Sequence, residues 1–274
     1  MTYKQIVKEQ SKFLREVTHI PQKEVEILIL YLVQQNTIWL HLNYDKECLV
    51  EKELEKLVKK RATNYPIEYI TKRASFYGEV FNVQDGVLIP RPETEILVEK
   101  AEVILKNINN PKVIEIGTGS GIISVMLAIL IPDIKIIAVD INDKAIELAK
   151  SNAKKYSVED KITFIKSDLF LNIPDDNYDM VVSNPPYIAD SYKLPSNVKY
   201  EPSNALFGGN IGDELLKDII LQTKEKNIPY LLCEMGYDQK QPLTKYIDEN
   251  INKYKKLEFY KDFDKFDRGF VINF

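Results

Sequence analysis

Strand and helix patterns alternate along the chain from residue 112 onward, and this alternation restricts the possible folds more than any other feature of the sequence. Strands that alternate with helices pair in parallel through right-handed crossovers, and the helices cover the sheet. The last two strand patterns have no helix between them, which predicts an antiparallel hairpin at one side. Strands are predicted at residues 112–116, 134–139, 162–165, 179–182, 230–233, 257–260 and 270–274, and helices at 121–131, 144–156, 212–226 and 239–252. The predicted fold class is therefore α/β, with a mostly parallel seven-stranded sheet.

The part of the chain before this alternation has a different pattern. Apolar residues recur at helical spacing with charged residues between them, which predicts a small helical bundle, and Pro21 is placed as a helix start. A turn at Asp85-Gly86 is then predicted to join strands 76–83 and 87–89 into a hairpin. The predicted parts are a helical domain (1–72), a β-hairpin linker (73–91) and the α/β domain (92–274).

The linker ends in the segment Pro90-Arg91-Pro92-Glu93-Thr94-Glu95. Two prolines stiffen the entry into a helix, and the acidic residues stand near the positive end of that helix. The segment is therefore interpreted as helix initiation. Arg91 is the one side chain in it with the length to reach a ligand.

Composition excludes several classes of function. The two cysteines, Cys48 and Cys233, and the two histidines, His19 and His41, have no metal-ligand spacing. No apolar stretch is long enough to span a bilayer, and the N-terminus has no signal-peptide core, so a cytoplasmic protein is expected. The formal net charge of -4 argues against a dedicated duplex-DNA binder.

A glycine-rich loop follows the first strand of the α/β domain. The run Glu115-Ile116-Gly117-Thr118-Gly119-Ser120-Gly121 lets the backbone turn sharply and approach a ligand at a helix N-terminus. Asp140 ends the next strand, where a carboxylate binds ribose hydroxyls. Ile122 replaces the third glycine of a dinucleotide fingerprint, and Glu115 would repel a pyrophosphate but suits a cationic amine and sulfonium. The loop therefore favours S-adenosylmethionine over a dinucleotide.

Further cofactor contacts are expected at the following strand ends. Asp168 is placed to accept a hydrogen bond from an adenine amino group, with Leu169 beside the ring. A glycine loop alone can also serve strand-helix packing. The stronger evidence for a cofactor site is that the loop, Asp140, Asp168 and Asn184 follow in order on successive strand ends. The predicted cofactor-binding residues are Glu115, Gly117, Thr118, Gly119, Ser120, Gly121, Asp140, Asp168, Leu169 and Asn184.

The fourth strand of this domain ends in Asn184-Pro185-Pro186-Tyr187. Two prolines make a stiff turn without N–H donors, so the Asn184 amide oxygen and the Pro185 carbonyl can accept both hydrogens of a planar NH₂ group. The Tyr187 ring is expected to stack on that group. The alternative is a turn in which Asn184 only caps a helix. The predicted catalytic residues are Asn184, Pro185 and Tyr187, and the predicted substrate-binding residues are Asn184, Pro185, Pro186 and Tyr187. The predicted reaction is an in-line transfer of an activated methyl group that needs no metal.

These motifs together resemble the release-factor glutamine methyltransferases, which modify the glutamine of a Gly-Gly-Gln loop in peptide release factors. The matching segments are Pro66 to Ile70, Leu88 to Glu95, the glycine loop, Asn184 to Ile188, Tyr200 to Pro202, Ala205 to Gly209, Glu234 to Gly236, and Arg268. The resemblance implies a Rossmann-like class I methyltransferase fold, S-adenosylmethionine as cofactor and a release factor as protein partner. It also implies that the helical domain grips a remote part of the release factor. Lys72 stands where this family commonly has a glycine.

Other activities stay open at this level. An adenine-N6 or guanine-N2 nucleic-acid methyltransferase shares the Asn-Pro-Pro-Tyr motif, but it needs a base-flipping pocket and a basic face or target-recognition domain. A glutamine methyltransferase acting on a ribosomal protein is poorly separated by sequence. An inactive interaction module predicts a broken donor loop, whereas this loop is intact. The expected protein is a monomer that acts on release factors, without a membrane or direct nucleic-acid partner.

Overall fold

The computed structural model describes residues 1–274 and divides them into two units. The first contains Met1–Arg73 together with Leu194–Tyr200, and the second contains Ala74–Lys193 and Glu201–Phe274. The three-part division made from the sequence stays a prediction, and it did not group residues 194–200 with the helices. None of the helices combines the length and the apolar character that crossing a bilayer requires.

Five α-helices build the first unit. They are α1 (Tyr3–Gln10), α2 (Pro21–Val33), α3 (Thr37–Leu42), α4 (Glu51–Arg61) and α5 (Ile67–Thr71), with 3-10 turns at Ser11–Leu14 and Val198–Tyr200. Their apolar faces meet in a core that includes Leu28, Ile29 and Leu54, which have no exposed surface. Burial of each such side chain contributes roughly 1.5–3 kcal/mol. Packing of one apolar face per helix therefore holds this unit together.

The last helix of the first unit ends in a left-handed residue. Lys72 has a φ of 60°, and its backbone N–H donates to the Glu68 carbonyl. Glycine adopts this conformation without strain, whereas an L side chain costs about 1–2 kcal/mol. The backbone at this position therefore favours glycine, and Lys72 adopts it at that cost.

Strands and helices alternate through the rest of the chain. In order they are β1 (Arg73–Phe76), β2 (Glu79–Asn82), α6 (Thr94–Leu105), β3 (Lys112–Ile116), α7 (Ile122–Leu130), β4 (Lys135–Asp140), α8 (Asp143–Lys155), β5 (Ile162–Lys166), β6 (Met180–Ser183), β7 (Ile188–Ala189), β8 (Phe207–Gly209), α9 (Glu214–Glu225), β9 (Tyr230–Glu234), α10 (Lys240–Asn250), β10 (Lys256–Lys261) and β11 (Asp267–Asn273). Seven strands form one sheet in the order β10-β11-β9-β6-β3-β4-β5. Strand β11 is antiparallel to both β10 and β9, and the other neighbours are parallel. The predicted mostly parallel sheet with a closing hairpin is confirmed.

The parallel strands bring their carboxyl ends to one edge of this sheet. Ile116 at the end of β3 lies opposite Val139 of β4 and Ser183 of β6. Apolar cores cover both faces, one with side chains of α6 and α7 and the other with side chains of α9 and α10. Because β3, β4, β5 and β6 end at the same edge, the loops that follow them come together there.

The linker hairpin has a different turn from the predicted one. Tyr77 and Gly78 join β1 to β2, and both have positive φ angles, of 54° and 78°. A two-residue hairpin turn of type I′ requires this combination. Asp85-Gly86 also turns the chain, but residues 87–89 form no strand. The predicted pairing of 76–83 with 87–89 is therefore wrong, because the chain already reverses in the middle of the first of those segments.

Candidate active site

A cleft lies at the carboxyl edge of the parallel strands. It contains about 790 Å³ of empty space, counted to its open mouth. The predicted site residues that line it are Gly117, Gly119, Asp140, Asp168, Leu169, Asn184, Pro185 and Pro186. Two further walls were not predicted from the sequence: the linker residues 86–88, and Pro202, Asn204 and Ala205.

The glycine loop leaves space where side chains would otherwise project. Gly117 and Gly119 have φ angles of 73° and 54°, and a Cβ added at either position meets no atom within 4 Å. Asp140 holds this loop, since one carboxylate oxygen accepts the Gly119 N–H at 2.9 Å and the other accepts the Asn142 N–H at 2.9 Å. The carboxylate that is predicted to bind ribose therefore also fixes the backbone that is predicted to face the cofactor.

Two other predicted cofactor contacts follow β5. Asp168 and Leu169 both line the cleft, and Leu169 takes a left-handed φ of 45°. The buried Ser167 hydroxyl donates to the Leu169 carbonyl at 3.0 Å and accepts from the Asn172 N–H at 2.9 Å. These two bonds hold the turn that presents Asp168 and Leu169 to the cleft.

Three loop residues that were predicted to bind the cofactor lie beneath the cleft. Thr118 and Ser120 are each only 3% exposed. Gly121 has a φ of 81°, and a Cβ there would stand 2.9 Å from the Cβ of Ala149 on α8. Real Cβ atoms do not approach this closely, so Gly121 is required for helix packing. The three residues support the loop from below.

Glu115 also lies away from the cleft, in contrast to its predicted place beside the ligand. Its side chain has no exposed surface. One oxygen accepts hydrogen bonds from Ser124 and, at 2.8 Å, from the Thr118 hydroxyl, whereas the other oxygen has no partner. Strand β3 is buried on both faces, so a charged residue in it points into a core, where Glu115 is hydrogen-bonded through one oxygen only. Burial raises the pKa of Glu115 to about 7.

This raised pKa predicts a pH dependence of stability. The folded protein keeps a proton on Glu115 that the unfolded chain loses near pH 4.5, so the free energy of unfolding falls as the pH rises from 4.5 to about 7. Glu115→Gln removes this dependence. The stability of the wild type relative to the variant is expected to fall by about 2–3 kcal/mol between pH 5 and 8, measured by denaturant unfolding. The exposed Glu147→Gln on α8 is the matched control, and equal slopes for Glu115→Gln and wild type would contradict the assignment.

Asn184 and Pro185 present hydrogen-bond acceptors beside the cleft. The Asn184 amide nitrogen donates to the Thr94 hydroxyl at 3.0 Å, and no hydrogen bond of the structure ends on its oxygen. The Pro185 carbonyl likewise accepts none. Both residues line the cleft. Two unused acceptors on a turn without N–H donors match the predicted arrangement for an NH₂ group.

Tyr187 lies outside the cleft lining. Its hydroxyl donates to Glu234 at 3.0 Å, and its ring packs partly buried against the core under α9 and α10. Burial, reinforced by the negative charge of Glu234, raises the pKa of this phenol, so Tyr187 stays protonated. The ring therefore supports the turn from within, and its predicted stacking on the substrate stays a prediction.

The turn is held by groups that sequence reasoning did not assign to the site. The Gln239 amide donates to the Tyr187 carbonyl at 2.9 Å. A Cβ at Gly208 would collide with the Pro186 carbonyl oxygen, so only glycine lets β8 approach the turn this closely. Arg91, which was considered for ligand contact, instead pairs with buried Glu201 at 2.5 Å. The segments at 201–202 and 205–209 that carried the family resemblance therefore have a structural role next to the cleft.

Known proteins match both parts of the chain. A family model described as PrmC N-terminal domain matches residues 5–71, and one described as Methyltransferase small domain matches residues 93–199. The release factor glutamine methyltransferase of Aquifex aeolicus is 32% identical over 94% of this chain and 92% of its own length, and that of Buchnera aphidicola is 35% identical over 93% and 95%. This chain belongs to the release factor glutamine methyltransferase family. A third family member, from Fusobacterium nucleatum, is 37% identical over 87% of this chain and 69% of its own length.

Solved structures agree with this family's fold class. The human METTL16 catalytic domain in complex with an RNA hairpin superposes with a TM-score of 0.59 at 20% identity, covering 71% of this chain and 75% of that one. A ribosomal protein L11 methylase from Lactobacillus delbrueckii gives a TM-score of 0.50 at 19% identity, over 70% and 83%. These likenesses concern the fold, which is that of class I methyltransferases.

Proposed function

We propose that this protein transfers a methyl group from S-adenosylmethionine to the side-chain nitrogen N5 of the glutamine in the Gly-Gly-Gln loop of peptide release factors. Family membership supports the substrate. The observation that supports the chemistry is the pair of unused acceptors, the Asn184 amide oxygen and the Pro185 carbonyl, on the wall of a cleft that also contains the glycine loop.

The residues of the cleft fit S-adenosylmethionine. Gly117 and Gly119 leave open space above the backbone, and Asp140 and Asp168 supply carboxylates that suit ribose hydroxyls, an amino group and a cationic ligand. Leu169 offers an apolar surface for the adenine. When bound, the cofactor supplies a methyl group already activated on a sulfonium.

The chain's own contribution is to hold and orient the target amide. The amide nitrogen of glutamine is a poor nucleophile because its lone pair is delocalised. Acceptors at Asn184 and Pro185 would hold both N–H bonds and direct the nitrogen toward the glycine-loop side of the cleft, and fixed dipoles of this kind need no rearrangement during reaction. Formation of the nitrogen–methyl bond would break the methyl–sulfur bond and leave a neutral thioether, and the nitrogen would then lose one of its protons to solvent.

The experiment that tests the proposal offers labelled donor with five acceptors. These are a purified release factor, its Gly-Gly-Gln Gln→Ala variant, unmodified rRNA, unmodified ribosomal protein and unmodified DNA. Label is expected on the release factor and absent from the Gln→Ala variant. Label on nucleic acid or on a ribosomal protein would support one of the other activities instead. Labelling of the Gln→Ala variant would contradict the target assignment.

The remaining roles follow from this proposal. The helical residues 1–72 would grip a part of the release factor away from the glutamine, which agrees with the absence of any catalytic motif in them. A monomer in the cytoplasm without direct nucleic-acid binding remains the expectation.

A further inference from the structure

A buried chain of hydrogen bonds leads from Asn184 to two side chains that do not line the cleft. The Asn184 amide nitrogen donates to Thr94 Oγ1 at 3.0 Å, and the Thr94 hydroxyl donates to Glu234 Oε2 at 2.7 Å. Thr94 has no exposed surface, and Glu234 is 1% exposed. Thr94 is the first residue of α6 and Glu234 the last of β9, so two separate elements meet behind the catalytic turn.

The chemistry of these groups sets the direction of every bond in the chain. The Thr94 and Tyr187 hydroxyls, together with the charge of Arg268, favour the ionised form of Glu234 against burial, which raises its pKa. In the ionised form its oxygens only accept, so the single hydrogen of the Thr94 hydroxyl is committed to Glu234. The Thr94 oxygen therefore offers only lone pairs to Asn184. Asn184 must meet these lone pairs with its NH₂ group, which leaves its oxygen facing the other way. The reversed amide would place two oxygens against each other in a site closed to water, where an unpaired polar group is costly.

The same carboxylate also holds the other end of the turn. Glu234 Oε1 accepts from the Tyr187 hydroxyl at 3.0 Å, so one buried carboxylate holds Tyr187 directly and Asn184 through Thr94. With two hydroxyl donors, one on each oxygen, the carboxylate is satisfied as an acceptor. Because the one hydrogen of the Thr94 hydroxyl is donated to Glu234, this hydroxyl cannot also donate to Asn184.

We propose that Thr94 and Glu234 are positioning residues that select the orientation of the Asn184 amide in which its oxygen faces the target NH₂ group. This inference rests on the proposed methyl transfer to an amide nitrogen. Neither residue lines the cleft. Their effect is on the fraction of molecules in which Asn184 presents an acceptor rather than a donor, and a donor there would repel the N–H bonds of the target.

Replacement of Thr94 by valine tests the proposal, because valine keeps the shape and removes both the donor and the acceptor. Thr94→Val is expected to lower kcat on the release factor about tenfold to 100-fold, with the dissociation constant of S-adenosylmethionine changed less than about threefold. Thr94→Ser keeps the hydroxyl and is expected to restore kcat to within about threefold of wild type. Glu234→Gln replaces one acceptor oxygen of the carboxylate by an NH₂ donor. It is expected to lower kcat at least as much as Thr94→Val does.

The matched control is Thr223→Val. Thr223 is equally buried, and its hydroxyl donates to the backbone carbonyl of Ile219, within the same helix α9, at 2.6 Å. It should lower thermal stability about as much as Thr94→Val while leaving kcat unchanged. Wild-type kcat in Thr94→Val, or failure of Thr94→Ser to restore activity, would overturn the positioning role. If the wild-type protein labels an NH₂ group of a different substrate, the proposed function is wrong. The positioning role of Thr94 is then still decided by comparing kcat of the wild type, Thr94→Val and Thr94→Ser on that substrate. Absence of any turnover counts against both.

Discussion

Asn184→Ala is expected to lower kcat about 1000-fold and to leave the dissociation constant of S-adenosylmethionine within about threefold of wild type. The reason is that the Asn184 amide oxygen is an unused acceptor at the turn, and its loss leaves one N–H of the target amide without a partner. The cofactor is expected to bind mainly at the glycine loop, Asp140 and Asp168, which line the cleft and which the substitution leaves in place. Single-turnover labelling of a release factor and calorimetric titration with the donor measure the two quantities.

The control for this prediction is Asn250→Ala at the end of α10. Asn250 is exposed, and its side-chain amide only donates to the Tyr246 carbonyl at 2.9 Å. Its removal should change neither quantity. Turnover of Asn184→Ala near the wild-type rate would mean that the amide clamp is not the source of catalysis. Loss of donor affinity in parallel with kcat would instead make Asn184 part of the cofactor site.

Most of the sheet could be predicted from the sequence because parallel strands buried on both faces are short apolar runs. The run Met180-Val181-Val182 is one example, and it forms β6 as expected. The linker could not be predicted in the same way. Both Gly78 and Gly86 have positive φ angles and turn the chain, and the local pattern does not say which of the two lies between paired strands. That choice depends on packing, since Phe76 and Phe81 on the observed strands enter the core against α6 and α7.

The candidate site was predictable where residues follow the carboxyl ends of parallel strands, because topology brings those ends together. Gly119, Asp140, Asp168 and Asn184 all reach the cleft for this reason. Glu115 does not reach the cleft. In a strand that is buried on both faces, the sequence pattern does not indicate which side chains face a ligand. Thr94 and Glu234 were missed for a different reason: each resembles an ordinary local feature, a helix start and a strand end. Only the three-dimensional structure brings these two distant residues to the same hydrogen-bond chain.

Gly119→Ala is expected to raise the dissociation constant of S-adenosylmethionine about tenfold to 100-fold. A Cβ at this position meets no protein atom within 4 Å, so it fits the folded chain but takes up cleft space in which the cofactor is expected to bind. The substitution also places an L residue at a φ of 54°, which costs about 1–2 kcal/mol of stability. Donor titration by calorimetry separates the first effect from the second, which is read from thermal unfolding.

Gly78→Ala is the control that separates the effect of backbone strain from the effect of filling space in the cleft. Gly78 has a φ of 78°, a Cβ there also meets nothing within 4 Å, and the residue lies in the hairpin turn rather than along the cleft. The two variants should therefore lose similar stability, whereas only Gly119→Ala should lose donor affinity. Equal donor affinity in both would mean that the cofactor does not approach the backbone at Gly119. The glycine loop would then serve strand-helix packing, as Gly121 does against Ala149, and the donor would have to bind elsewhere along the sheet edge.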